Sequence, residues 1–226
     1  MSDIRPDDPR LPKPNWGCLL FLIPIVGIAA TFAAYGVLFY SGYTGGSADG
    51  ERVSLTYEGC AEAVPVLLDR ATRMGLGDPE AVTAPGRITL SLTLPSDPEI
   101  AARIPGSLGR TAKLTALGGE TALLGPADLA GASPRLNLLM SPFTVLELTD
   151  AAAERVREHK AAHPDGEIVY LVDDEPIGRE TNKKALAGNE IEIPADAENE
   201  QERVRQAAEQ AVLLGSGPLP CSLQLN

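Results

Sequence analysis

His159 and His163 stand four residues apart, which places two imidazoles on one face of a helix, as zinc ligands would lie. No further ligand near them completes a site. Just ahead of Pro164, the pair reads as ordinary helix-end chemistry, where polar or cationic side chains meet the last free carbonyls. Asp165, Glu167, Asp173, Asp174 and Glu175 are carboxylates of the type that bind calcium, but the loop glycine and ligand spacing of an EF-hand are missing. They read as a solvated hairpin turn. GxSxG, Walker and HExxH patterns are absent, and no nucleophile, base and orienter can be assembled. The expected chemistry is noncovalent, with no catalytic residue, no metal ligand and no cofactor.

Charge narrows the partner class. The chain has 226 residues with 31 acidic and 19 basic side chains, a net charge of -12. Residues 1–42 hold Asp3, Asp7 and Asp8 against Arg5, Arg10 and Lys13, so the whole surplus falls on the remainder. A domain this acidic repels phosphate backbones, so no nucleic-acid partner is expected. At 44% apolar residues it has the material for a real core.

Residues 17–40 carry no charge. At about 1.5 Å per residue the run outspans a hydrocarbon layer of roughly 30 Å, so it is expected to be a transmembrane helix. Trp16, Tyr40 and Tyr43 suit the headgroup zone, and Pro24 is tolerated inside a span. The run exceeds the apolar region of a cleaved signal peptide, which favours an uncleaved anchor. Arg5, Arg10 and Lys13 precede it and only Arg52 follows closely, so the N-terminus is expected in the cytoplasm and the rest outside it. Gly27, Ala30, Thr31 and Ala34 offer a small-residue face for a partner transmembrane helix.

Around that span, residues 1–16 hold four prolines and six charges and read as a solvated tail; residues 41–50 read as a Gly/Ser tether. Alternation then predicts strands at 52–57, 81–83, 88–94 and 112–117, with helices at 61–74 and from Pro98 to about residue 103. This order, βαββαβ, is that of a ferredoxin-like base over 51–118. A Gly/Pro-rich connector at 119–142 leads to a small head over 143–220, with strands at 143–148, 168–172 and 190–193 and helices at 151–162 and 199–214. Residues 221–226 form a strand returning to the base. The expected class is α+β, a single transmembrane helix followed by a ferredoxin-like base and a small α+β head.

Residues 63–117 resemble the base of the first periplasmic domain of SecD, a subunit of the Sec protein-export machinery. The likeness lies in the helix entering Met74-Gly75-Leu76-Gly77 with Pro79 after it, and in Leu108-Gly109-Arg110-Thr111-Ala112-Lys113-Leu114. Leu124 to Leu129 and Val145 to Thr149 are similar to the entry of the SecD head, and Ala208 to Pro220 to its exit. The resemblance covers roughly residues 52–226. It implies a periplasmic domain at the inner membrane, working with Sec translocon components or translocating polypeptide. No second apolar run of spanning length occurs, so the multi-helix bundle of SecD is expected to be missing. No carboxylate lies between Pro14 and Ala48, so no proton relay through the span is expected.

Under this resemblance Cys60 follows the first base strand and Cys221 opens the returning one. They either bridge in an oxidising compartment or pack as two small apolar residues. Leu136, Leu138, Leu139 and Met140 form an apolar cluster that either contacts polypeptide or packs on the head. Two functions are consistent with these readings. One is a polypeptide-binding accessory of export; the other is a structural or sensory scaffold that binds other envelope proteins.

Overall fold

Ile88, Leu90 and Leu92 alternate with polar neighbours and are all fully buried, the period-two pattern of a strand with one covered face. They belong to β3 (Arg87–Thr93) of a computed structural model that describes residues 50–226. The tail, the expected transmembrane helix with Gly27, Ala30, Thr31 and Ala34, and the tether up to residue 49 lie outside the described residues. β3 pairs antiparallel with β1 (Arg52–Glu58) and with β2 (Gly77–Ala84). A two-residue strand, β11 (Gln224–Leu225), adds to the other edge of β1, giving the order β11-β1-β3-β2.

Helices α1 (Val64–Arg73) and α2 (Pro98–Gly109) bury Leu67, Ala71, Ile104 and Leu108 against this sheet. Asp97 caps α2, its carboxylate accepting from the backbone of Glu99 and Ile100. The helix runs past Arg103, where the sequence placed its end, and takes Pro105 into its interior. Proline lacks the N–H that would bond one turn back. The Pro105 carbonyl instead accepts the buried Tyr57 hydroxyl at 2.8 Å.

The strand expected at 112–117 forms as β4 (Leu114–Gly118), but it does not complete the sheet of β1 to β3. It pairs with β5 (Thr121–Leu124) and β8 (Glu167–Val172), in the order β5-β4-β8-β9. The fourth strand of the first sheet is β11, supplied after everything between. Edge strand β9 (Glu175–Thr181) was not expected, since its Pro176, Gly178 and three charges mask a strand pattern. The connector also holds more than a loop: β5, a short 3-10 turn and β6 (Leu129–Leu136) lie within it. β6 pairs with β7 (Pro142–Leu148), which pairs with β10 (Glu190–Pro194).

Helix α3 (Asp150–Ala162) is capped by Thr149 and buries Ala152, Ala153 and Val156. Helix α4 (Glu200–Gly215) is capped by Asn199. It joins two cores at once. Val212 packs with Tyr57, Leu67 and Leu90, whereas Leu213 and Leu214 pack with Leu146, Tyr170 and Ile193. Consecutive residues on a 3.6-residue period point about 100° apart, so a helix wedged between two sheets can serve both.

Candidate functional site

Five hydrogen bonds converge on one fully buried guanidinium, that of Arg70. Nε donates to Ser216 Oγ at 3.0 Å, Nη1 to the carbonyls of Leu108 at 2.9 Å and of Arg110, and Nη2 to those of Thr111 at 3.4 Å and Gly217 at 2.9 Å, while Leu219 N donates to Thr111 O at 2.9 Å. Leu108 to Thr111 is where the chain leaves the first core, and Ser216 to Leu219 is where it returns. Burial lowers the pKa of Arg70 to about 10, and the fork of acceptors keeps it charged at neutral pH. The sequence does carry a signal for it, because Arg70 falls on the apolar stripe of Ala63, Leu67, Ala71 and Met74.

Beside this junction lies a cleft of about 610 Å³. Its wall is the outer edge of β9, from Glu175 to Arg179, and its opposite side is α4, through Gln206, Glu209, Gln210 and Leu213. Pro194 to Asp196 close one end, and Val172, Ile177 and Leu214 supply apolar surface. Arg110 reaches Glu175 at 3.3 Å and Asp173 at 3.9 Å across the rim. An exposed strand edge presents unpaired backbone donors and acceptors to an extended chain. The cleft combines apolar surface with a few convergent polar groups, the general character of ligand sites.

The apolar cluster expected at 136–140 forms the tip between β6 and β7. Leu138 is 92% exposed and Leu139 85%, while Leu136 is half-buried. The loop is tightly held. Asn137 Oδ1 accepts from Leu139 N at 2.8 Å and Ser141 N at 3.0 Å, and Met140 adopts a positive φ of 61°.

Cys60 and Cys221 are joined by a disulfide, with Cα atoms 6.3 Å apart. It sits where β11 meets the end of β1. His159 and His163 stack with centroids 4.5 Å apart. His159 packs so closely on β4 that a Cβ on Gly118 would lie 2.2 Å from its Nε2, and burial, then His163, lowers its pKa. Asp173 and Asp174 adopt positive φ in a tight turn, and the Asp173 carboxylate accepts from Ala112 N and Lys113 N, both at 2.9 Å. The turn carboxylate thus holds the start of β4. Among the described residues no group of three or more His, Cys, Asp or Glu is placed to hold a metal ion, and no helix is long and apolar enough to cross a membrane.

Two cores sharing one helix, a side cleft beside an edge strand and an exposed apolar tip make up an α+β domain. Solved structures of SecDF have the same fold. One, of SecDF in a super-membrane-facing form, matches with a TM-score of 0.66 at 19% identity over 77% of this chain and 29% of its own. Another, of a membrane component SecDF that enhances protein export, matches with a TM-score of 0.61 at 19% identity over 76% of this chain and 97% of its own. The chain therefore spans under a third of the first SecDF chain and nearly all of the second. The SecD-like resemblance read from the order of motifs is matched by the fold. No protein-family profile and no curated protein sequence matches the chain.

Proposed function

We infer that this is a single-pass membrane protein that presents a SecD-like domain outside the cytoplasm and binds polypeptide noncovalently as an accessory of protein export. The observation that carries the reading is the shared fold with SecDF over three quarters of the chain, joined to an uncharged 24-residue run ahead of it. In this reading the sheet of β11, β1, β3 and β2 with α1 and α2 is a ferredoxin-like base, and the 110 residues from Arg110 to Leu219 are a head inserted before its last strand. The oxidising side of the membrane suits the Cys60–Cys221 bridge. The chain is not an enzyme in this reading. Its ligand is an extended segment lying along β9 in the cleft, where main-chain hydrogen bonds give affinity with little sequence preference.

A photo-crosslinking amino acid at Gln206, on the α4 side of the cleft, tests this in cells. Radiolabelled exported proteins caught in transit are the expected products. Capture of only fixed, folded neighbours supports the second reading, an envelope scaffold or sensor.

A further inference from the structure

The tip of the β6–β7 hairpin is held out from the fold rather than folded onto it. Leu138 and Leu139 project into solvent from a loop pinned by the Asn137 side chain. A rigid loop presents its side chains with little ordering entropy left to lose. Residues 136–146 contain no ionisable side chain, so nothing on the tip opposes entry into a low-dielectric medium.

Its position supplies the partner. Helices α2 and α4 run side by side in the same direction: Arg103 forks onto the Glu202 carboxylate at 3.0 and 3.2 Å, and one turn on, Ser107 Oγ donates to Glu209. At the start of α2, Leu94 O accepts from Gly50 N at 3.1 Å, so the N-terminal end of the described chain leaves there. Ahead of α4, Ala195 N donates to Pro142 O and Asp196 N to Oε1 of Gln206, in the second turn of the helix. β6 runs against α4, from Ala132, whose carbonyl oxygen would lie 3.2 Å from a Cβ on Gly215, toward the helix start. Gly50 and the Leu138–Leu139 tip therefore lie toward the same end of the domain. The ten residues at 41–50 that link it to the uncharged run can span at most about 35 Å.

We propose that the Leu138–Leu139 tip is a second membrane contact, seated in the headgroup–acyl boundary of the bilayer that holds the N-terminal anchor. This rests on the membrane-anchored reading above. Tethering makes the contact intramolecular, so two leucines suffice where a free domain would need a larger apolar face. The contact fixes which end of the domain faces the lipid and leaves the cleft open at the side.

The full chain with Cys18→Ser and Leu139→Cys, labelled with an environment-sensitive fluorophore and reconstituted into phosphatidylcholine–phosphatidylglycerol vesicles, tests it. Val82→Cys is the control, 70% exposed and near the far end of β2. A blue shift at position 139 with quenching by spin-labelled lipid, and neither at position 82, is the expected result. If the chain floats with the vesicles but the label at 139 is quenched by aqueous iodide as fully as that at 82, the tip does not meet lipid and the proposal fails alone. If the label shifts only when unfolded polypeptide is added, the tip is a polypeptide contact and the proposal fails. If the chain does not float with the vesicles, the anchored reading fails and takes this contact with it.

Discussion

Arg70 Nε donates to Ser216 Oγ at 3.0 Å across 146 residues of chain. The same guanidinium holds the carbonyls of Leu108, Arg110, Thr111 and Gly217, so one side chain fastens both crossings between the two cores. With α4 giving Val212 to one core and Leu213 and Leu214 to the other, neither core can lose its packing without disturbing its neighbour. The orientation of cleft and tip relative to the first sheet is set at this junction.

Replacing Arg70 by Met keeps the volume and strands the acceptors. Unpartnered buried carbonyls cost about 1–3 kcal/mol each, and removing one member of a buried charged network typically costs about 3–5 kcal/mol. Arg70→Met should therefore lower the urea midpoint by a stability loss in that range, and Arg70→Lys should recover only part, since an ammonium cannot reproduce the planar fork. Protease should also cut first within 108–111 or 216–219. A midpoint equal to that of the wild type would show that the junction is held by apolar packing alone.

The regular elements were legible because burial follows period: Ile88, Leu90 and Leu92 for a strand, Leu67, Ala71 and Met74 for a helix. Partnering was not. β4 reads equally well as the last strand of the first sheet, because alternation reports a buried face but not which strand lies alongside. β9 escaped because an edge strand tolerates Pro and Gly, and it is this edge that forms one wall of the cleft. A cleft made by residues from 110 to 214 has no local signature. The tip was visible as an apolar run, yet its exposure depends on the Asn137 loop geometry, which composition does not encode.

The Cys60–Cys221 bridge spans 161 residues and clips the two-residue β11 to β1. Closing a loop this long removes chain entropy from the unfolded state, and losing such a bridge typically costs about 2–5 kcal/mol. Cys60→Ser with Cys221→Ser should lower the melting temperature and raise amide exchange at Gln224 and Leu225 before other strands. Chain isolated from cells should bind thiol-reactive probe at Cys60 and Cys221 only after reduction. Labelling without reductant would show that the two thiols are free in the cell.

Lys160 and Glu180 form an ion pair of 2.8 Å with side chains only 6% and 8% exposed. Lys160 also donates to Lys184 O, and Tyr170 donates to Glu180; burial pushes the Tyr170 phenol well above its ordinary range. Lys160→Met leaves the buried Glu180 carboxylate with the Tyr170 hydroxyl and, at 3.9 Å, Lys184 Nζ, an expected loss of up to about 3–5 kcal/mol. Lys160→Met with Glu180→Leu should return much of it, because an apolar pair of similar volume removes the uncompensated charge. A double mutant as unstable as the single one would mean that the Tyr170 contact, and not charge pairing, sets the cost.

His159 gives the domain a pH dependence whose sign is fixed by its surroundings. Burial against β4, then the neighbouring His163, lowers its folded pKa below the ordinary 6.5. The unfolded chain thus takes up this proton more readily than the folded one, and acid favours unfolding. The stabilisation from a neutral His159 is complete above pH 6.5 and is lost as the pH falls toward the lower folded value. NMR titration should find the His159 pKa below 6.5, and His159→Gln should flatten the stability profile below pH 6.5. An unchanged profile would show that protonation of His159 does not set the acid sensitivity.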